Sequence, residues 1–313
     1  MTYAEGLEEF IDRCNNAMPP DFYRLPLVKQ RELYLGLTRE FPYNLPAGVT
    51  ITDETAIYHG LQLRLRIYRP DRVRGPGLLI YIRGGGFVVG SLATHNTVVA
   101  ELCAKSGLVA IAPDFRLAPE YPFPAAADEC YAVLCAAAAE GSRFGIDPKR
   151  IVICGESSGA NMAVAVSMMT RDRGGPALRG QALISPVLDF TRWRHGGEDA
   201  PLLTGGEMAY YTECYCPDPE QVAHPYVSPL VSGKFHGLPP AYIMGGELDS
   251  LLVDSHNYAG HLRNNGTPVE LIVEKGLVHS SVRARALSPS VADAWDRYCA
   301  KAAALALQGG LES

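Results

Sequence analysis

Hydrophobic and polar positions change their spacing along this chain, and the change predicts a mixed fold. Apolar residues recur at helical spacing in two segments of the first forty residues, the second at about 28–40. Residues 61–68 alternate strictly between apolar and polar side chains, which predicts a strand with one face in water. The N-terminal part is therefore expected to supply two helices and a half-exposed strand.

From residue 77 onward, short and continuously apolar runs alternate with helical segments. The runs cover 77–82, 108–112, 151–154, 182–184, 241–244 and 270–273. Helical spacing occurs near 95–106, 125–141, 158–172, 251–264 and 291–306. Apolar runs that do not alternate are typical of parallel strands covered on both faces. The pattern predicts an α/β protein with a mostly parallel central sheet and helices on both faces.

One long interval interrupts this alternation, between the run that ends near residue 185 and the run that begins near residue 241. A structureless connection of that length is unusual inside a compact domain. The interval is therefore expected to form helices of its own over one end of the sheet. Together with the N-terminal helices it is the candidate for a lid.

Composition and charge exclude several classes of protein. The chain has 313 residues, of which 47% are hydrophobic and 20% charged, as in globular proteins. Its 28 basic and 34 acidic residues give a net charge of −6 without a basic cluster, which argues against a nucleic-acid partner. No apolar run is long enough to span a membrane, and three glutamates occupy the first ten residues, where a signal peptide would be basic and then apolar. We expect a soluble protein of the cytoplasm.

The eight cysteines indicate neither a disulfide framework nor a metal site. They are spread along the chain, mostly among apolar neighbours, where cysteine behaves as a small buried hydrophobic residue. The one close pair, Cys214 and Cys216, has no histidine or cysteine partner at ligand spacing. We therefore predict no bound metal.

A Gly-Glu-Ser-Ser-Gly pentapeptide at 155–159 is the strongest chemical signal in the sequence. It directly follows the apolar run 151–154 and opens a predicted helix. A sharp turn between strand and helix is the setting in which a nucleophilic serine is exposed, and the helix N-terminus stabilises developing negative charge. Ser157 is the predicted nucleophile, and the alternative is a serine that only caps an ordinary helix.

A serine nucleophile needs a base, and in this chain order the base is a histidine downstream of an acid. His279 fits best, since it follows the apolar run 270–273 by a few residues. For the acid we prefer Asp249, in the loop after the run 241–244, with Glu247 in reserve. Asp254 is expected to lie one turn into the following helix.

Three successive glycines, Gly84 to Gly86, follow Arg83 at the end of the run 77–82. Glycines let backbone N–H groups approach a bound carbonyl closely, so this loop and the amide of Ser158 are expected to form an oxyanion hole. A phosphate-binding loop is excluded, because no Lys-Ser/Thr pair follows these glycines and no G-x-G-x-x-G pattern is present. A plain turn remains the alternative.

These motifs resemble the hormone-sensitive-lipase-like branch of the α/β-hydrolase fold, which includes many bacterial carboxylesterases. The most specific stretch, 114–126, reads DFRLAPEYPFPAA and is similar to the signature of that family between the glycine loop and the serine turn. The segments 202–206 and 224–229 are similar to its cap and post-cap segments. The resemblance covers the chain from about residue 60 to 300.

The resemblance implies a single α/β-hydrolase domain over 1–313 with a cap built from about 1–45 and the insertion at about 190–225. It implies a serine esterase that acts on short- to medium-chain acyl esters and needs no cofactor. The implied triad is Ser157, Asp249 and His279, and the implied oxyanion hole consists of the amides of Gly85, Gly86 and Ser158. Because such proteins often pair through an edge strand, a homodimer is expected by analogy.

Three segments depart from the family pattern. Arg83 stands where the glycine loop normally begins with histidine, so either the loop is held differently or the cation attracts acidic substrates. Glu156 and Ser158 replace an aspartate and an alanine in the serine turn, and two serines follow His279 where Gly-Phe is common.

The main hypothesis is therefore a carboxylic-ester hydrolase with a small-molecule ester as its substrate. The same triad also serves enzymes that cleave amides, carbamates or lactones, and the sequence does not separate these. A different class of function is a ligand receptor on the same fold, such as the plant gibberellin receptors, which have lost the catalytic histidine.

Overall fold

One eight-stranded sheet forms the centre of the computed structural model, which describes residues 2–308 and 310. Its strands are β1 Val49–Tyr58, β2 Leu61–Pro70, β3 Leu78–Ile82, β4 Val109–Pro113, β5 Ile151–Glu156, β6 Gly180–Ile184, β7 Ala241–Gly246 and β8 Val269–Glu274. The order across the sheet is β1-β2-β4-β3-β5-β6-β7-β8. The pairings of β1 with β2 and of β2 with β4 are antiparallel, and the others are parallel. The predicted α/β fold with a mostly parallel sheet is confirmed.

Five of the six continuously apolar runs are the central strands of this sheet, and the sixth, 270–273, belongs to the edge strand β8, which is mostly half-buried. Every residue of β3, β4, β5, β6 and β7 is buried, which explains why these segments do not alternate between apolar and polar side chains. In contrast, β2 alternates and has exposed positions, because it lies toward the edge of the sheet. For β2 to β7, the spacing of hydrophobic residues therefore indicates whether one or both faces of the strand are buried.

One strand was not predicted. β1 has the sequence VTITDETAIY, and only Ala56 in it is buried. It pairs with β2 over the full length of both strands, from Val49 opposite Pro70 to Tyr58 opposite Leu61. An edge strand with little buried surface lacks the apolar pattern that identified the others.

Helices cover both faces of the sheet. Their bounds are α1 Leu7–Ala17, α2 Leu27–Glu40, α3 Asn96–Ser106, α4 Ala125–Ala139, α5 Gly141–Phe144, α6 Ser158–Asp172, α7 Gly205–Tyr215, α8 Leu252–Asn264 and α9 Pro289–Gln308. Side chains of α4, α6 and α8 belong to one hydrophobic core cluster, and those of α1, α3 and α9 to the other. Among the described residues, no helix has the length and apolar character to cross a membrane.

The long interval between β6 and β7 forms α7 and several short turns. Thr204 caps this helix, and its hydroxyl accepts a hydrogen bond from the Glu207 amide at 3.1 Å. The last residue of the helix, Tyr215, stacks on the Phe87 ring with 3.6 Å between ring centroids. The interval is therefore packed against the loop that follows β3, as the expectation of a lid requires.

The turn from β5 into α6 depends on the absence of a side chain at Gly159. A Cβ at this position would lie 2.1 Å from the carbonyl oxygen of Ile82 and 2.5 Å from that of Arg83. Ser157 occupies the strained conformation φ 54°, ψ −120°, and its amide donates to the Ile184 carbonyl at 2.9 Å. The helix that begins at Ser158 thus crosses directly over the end of β3.

Replacement of Gly159 by alanine is expected to lower the free energy of unfolding by about 2 kcal/mol or more, because backbone atoms would have to move. The measurement is chemical denaturation of the purified variant. Gly260→Ala is the matched control, since Gly260 lies inside α8 with no atom within 4 Å of its Cβ position. That variant is expected to gain about 0.5–1 kcal/mol from helix propensity. Equal stabilities of the two variants would contradict the close approach.

Candidate active site

Three side chains from separate loops meet at the carboxyl ends of the parallel strands. Ser157 follows β5, Asp249 follows β7 and His279 follows β8. The Nε2 atom of His279 lies 3.1 Å from the Ser157 Oγ, and its Nδ1 atom lies 2.9 Å from Asp249 Oδ2. An imidazole held through Nδ1 by a carboxylate presents Nε2 as an acceptor for the serine proton. The structure thus brings the three predicted residues together as a hydrogen-bonded chain.

Asp249 is held as an acceptor, whereas Glu247 points elsewhere. Oδ1 of Asp249 accepts the Leu251 amide at 2.9 Å, while Oδ2 faces His279. Burial alone would raise the pKa of Asp249, but the adjacent imidazole and these hydrogen bonds bring it below its ordinary value. Glu247 instead accepts the Gly276 amide at 2.9 Å. The geometry favours Asp249 over the reserve candidate.

Asp254 lies in the first turn of α8, as expected, and has a different set of partners. It is fully buried and accepts the amides of Leu188 and Asp189 at 2.7 and 3.2 Å. Its other oxygen pairs with Arg192 at 2.7 Å. This carboxylate therefore fixes the start of the interval that carries α7 and does not contact the histidine.

His279 is buried among negative groups that increase its basicity. Burial alone would lower the pKa of His279, but Asp249 and the more distant Glu156 and Glu207 raise it above its ordinary value. Glu207 lies on α7, and burial raises the pKa of its own carboxyl to about 7. The charge that Glu207 places near the imidazole therefore changes within the neutral pH range.

The glycine loop after β3 lies against the serine turn. A Cβ on Gly84 would be 3.1 Å from the Glu156 carbonyl oxygen, and one on Gly86 would be 2.3 Å from the Tyr211 ring. Gly85 and Gly86 have φ values of 120° and 57°, which favour glycine. Gly85, Gly86 and Ser158 line the same cavity as Ser157 and His279. The three residues predicted for the oxyanion hole are thus gathered beside the serine.

Arg83, the departure at the start of this loop, does not line the cavity. Its guanidinium donates to the carbonyls of Pro113 and Phe115 at 3.1 and 3.3 Å and stacks on the Phe115 ring, 3.8 Å from the centroid. Burial lowers the pKa of Arg83 to about 10, so the side chain remains charged at neutral pH. Of the two interpretations of this arginine, the geometry favours a loop that is held differently.

A cavity of about 210 Å³ opens above the three side chains. Its lining comes from the N-terminal helices, the glycine loop, the serine turn, the 200–211 segment and the loop around His279. Most of the lining is apolar, with Phe22, Phe87 and Phe190 among its large side chains. The cavity is therefore suited to an organic molecule with a short apolar part.

Several polar residues of this cavity were not predicted from the sequence, among them Tyr34, Glu207 and Arg283. The Thr-Gly-Gly-Glu sequence at 204–207 is a capping-box pattern that would have placed Glu207 in the first turn of a helix. Nothing in the sequence indicates that Glu207 lines the cavity of the nucleophile. Tyr34 has no local signal, because only the packing of α2 brings it to the cavity. Arg283 follows the predicted base His279 closely in the sequence, which is its one local signal.

Comparison with known proteins places this arrangement in context. The family described as alpha/beta hydrolase fold matches residues 79–283. The chain is 32% identical over 268 residues to the carboxylesterase NlhH of Mycobacterium tuberculosis, which covers 82% of this chain and 83% of that protein. It is 31% identical over 231 residues to an ethyl acetate hydrolase of Pseudomonas putida, which covers 72% and 73% respectively.

A solved structure shares the whole architecture. The hyperthermophilic esterase from the archaeon Pyrobaculum calidifontis superposes with a TM-score of 0.87 at 28% sequence identity. The superposition covers 98% of this chain and 99% of that one.

In the Glu207→Gln variant we expect the pKa of His279 to fall, because a negative charge that favours the imidazolium is removed. NMR titration of the imidazole resonances measures this shift directly. Because burial raises the pKa of Glu207 to about 7, the negative charge that acts on the imidazole is fully present only above that pH. The matched control is Glu213→Gln, which removes an exposed carboxylate from the same helix. Identical His279 titrations in both variants would rule out the influence of Glu207.

Proposed function

The chain belongs to the α/β-hydrolase fold family, the family of the hormone-sensitive-lipase-like esterases, and we propose that it is a serine carboxylesterase. Its relatives support hydrolysis of carboxylic esters. The finer assignment rests on the hydrogen-bonded chain of Ser157, His279 and Asp249, of which Ser157 and His279 line the cavity.

In the proposed reaction Ser157 is the nucleophile and His279 the general base. The Ser157 oxygen attacks the ester carbonyl carbon while Nε2 of His279 takes the hydroxyl proton. Asp249 keeps the imidazole in the required tautomer and stabilises the imidazolium. The imidazolium then gives its proton to the leaving alkoxide, the ester C–O bond breaks, and an acyl-enzyme remains.

The amides of Gly85, Gly86 and Ser158 are proposed to bind the oxyanion that forms in both halves of the reaction. Each such donor typically lowers the barrier by about 3 kcal/mol. A water molecule then replaces the alcohol, gives a proton to His279 and attacks the acyl carbon. Release of the carboxylic acid returns the proton to Ser157.

The cavity supports the preference for short acyl chains. Its volume of about 210 Å³ lies below the roughly 300–1,000 Å³ of sites for drug-sized ligands. We propose that residues 1–45 and 190–225 form the cap of a single domain, because α1, α2 and α7 all contribute to the lining. The cap then sets the length of the acyl group that fits.

The alternative functions, a receptor or a hydrolase of another substrate class, differ in whether they require the triad. A receptor on this fold needs no intact triad, and this chain retains one in hydrogen-bonding contact. Cleavage of amides, carbamates or lactones would use the same machinery and remains an alternative substrate class. A cytoplasmic location and a homodimer stay predictions from the sequence.

Ser157→Ala is expected to lower kcat for hydrolysis of 4-nitrophenyl butyrate by at least about 10³-fold, because the triad acts as a unit. His279→Ala should have a loss of similar size. Release of 4-nitrophenol measures the rate, and covalent labelling by a fluorophosphonate probe tests the serine independently. Labelling should disappear in Ser157→Ala.

Variants of two carboxylates test which residue is the acid of the triad. Asp249→Asn should reduce kcat strongly, since the imidazole loses the partner that fixes its tautomer. Glu247→Gln removes the neighbouring carboxylate and should stay close to the wild type. Full activity in Ser157→Ala, or the reverse order of the two acids, would contradict the assignment.

The ratio kcat/KM should be highest for 4-nitrophenyl esters with acyl chains of about two to six carbons and at least about tenfold lower for twelve carbons. The physical reason is that a long chain does not fit a cavity of about 210 Å³ unless the cap moves. A series graded by acyl length measures this. A maximum at ten carbons or more would contradict the proposed role of the cap.

A further inference from the structure

Among the described residues, the lysine or arginine that lines the cavity is Arg283 and not Arg83. Arg283 lies in a 3₁₀ turn, Ser281–Ala284, that begins two residues after His279. Its guanidinium lies over the Tyr34 ring, 5.0 Å from the centroid. The base and this cation therefore reach the cavity from the same short segment.

The protein leaves the Arg283 guanidinium with few partners. Nη1 donates to the Thr94 carbonyl at the long distance of 3.5 Å, and the Tyr34 hydroxyl interacts with the guanidinium as a hydrogen-bond partner. Among the described residues, Nη2 is buried with no acceptor at hydrogen-bonding distance. The nearby Arg285 makes two hydrogen bonds of 2.7 Å to the carboxylate of Glu101. A buried guanidinium carries five donors, and leaving them unpaired is unfavourable.

The carboxylate that acts on Arg283 is engaged by other residues. Glu156 acts on Arg283 electrostatically, but its carboxylate accepts a hydrogen bond from Tyr81 at 3.3 Å and lies 3.7 Å from His95 Nε2. Burial alone would lower the pKa of Arg283, yet Tyr34 and Glu156 keep it above its ordinary value. The side chain is thus a permanent cation without a bidentate partner.

We propose that Arg283 binds a carboxylate of the substrate, so that the preferred esters are anionic ones such as half-esters of short dicarboxylic acids. This inference rests on the proposed esterase function. A carboxylate is flat and matches the two parallel N–H groups of a guanidinium, which makes such pairs strong and directional. The anion would complete the hydrogen bonding that the protein itself leaves open.

The position of Arg283 limits the spacer between the two carbonyl groups. Glu156, whose charge acts on Arg283, directly precedes the nucleophile Ser157 in the sequence. Arg283 and Ser157 also line the same cavity, and its volume of about 210 Å³ leaves room for only a short chain between a carboxylate on the guanidinium and the ester carbonyl at the serine. The carboxylate belongs either to the acyl part or to the alcohol part of the ester, and two substrate pairs separate these cases.

The test compares kcat/KM within matched pairs. The acyl pair is 4-nitrophenyl hydrogen glutarate against 4-nitrophenyl valerate, and the alcohol pair is the butyrate ester of 4-hydroxybenzoate against phenyl butyrate. The wild type should prefer the anionic member of one pair by at least about tenfold, as expected for a charge-assisted hydrogen bond. Arg283→Gln should reduce that ratio by a similar factor, and Arg283→Lys should retain part of it.

Arg39→Gln is the matched control, because it removes the same charge from the exposed side of α2. If the preference for the anionic ester reflected only the overall charge of the protein, this variant would reduce the ratio as much as Arg283→Gln. That outcome would overturn the proposal, as would a ratio near one for both pairs in the wild type.

A second measurement keeps the proposal testable if Arg283→Gln does not fold. Glutarate should inhibit hydrolysis of 4-nitrophenyl butyrate by the wild type competitively, with a Ki at least about tenfold below that of the neutral glutaramide. Equal inhibition by the two compounds would overturn the proposal. If the protein hydrolyses no ester at all, the proposed function fails, and calorimetric binding of glutarate to the wild type then decides on the Arg283 site separately.

Discussion

The close contact between the end of β3 and the start of α6 is the constraint on which the site depends. Only glycine at position 159 lets the helix pass within van der Waals distance of the Ile82 and Arg83 carbonyls. This contact brings the glycine loop and the serine turn side by side, so that Gly85, Gly86 and Ser158 line one cavity. The strained backbone of Ser157 costs conformational free energy, and the surrounding packing holds the residue in this conformation.

The sequence predicted the parts of the fold whose burial is uniform. The five central strands are covered on both faces, so their apolar runs identified them without reference to the rest of the chain. β1 escaped detection, since an edge strand needs no continuous apolar run. Asp249 was preferred to Glu247 because of its place in the loop after the strand. In the structure Asp249 contacts the His279 imidazole, whereas Glu247 accepts a hydrogen bond from the Gly276 amide. The directions of Arg83 and Arg283 depend on contacts between distant segments, which spacing along a chain does not encode.

Arg83 illustrates how a charged residue replaces a smaller ring in a buried loop. Its planar guanidinium stacks on the Phe115 ring and donates hydrogen bonds to two carbonyls. The ring therefore covers the flat face of the group, and some of its N–H donors are paired. Burial lowers the pKa of Arg83, and the negative charge of the nearby Asp114 opposes this change without forming an ion pair with the guanidinium. The loop is therefore held by dipoles and a ring instead of an imidazole, and the charge stays outside the cavity.

The ionisable groups that line the cavity come from segments that are separate in the chain. Glu207 belongs to α7, Tyr34 to α2, and Arg283 to the turn after His279. Burial raises the pKa of Tyr34, Arg283 opposes that rise and Glu207 adds to it, so the phenol lies under the influence of both charges. These interactions are strong only while water is excluded, because a high dielectric weakens them. Any movement of α2 or α7 that admits water would thus change the basicity of His279 and the binding of a charged substrate together, which couples the proposed cap to the chemistry below it.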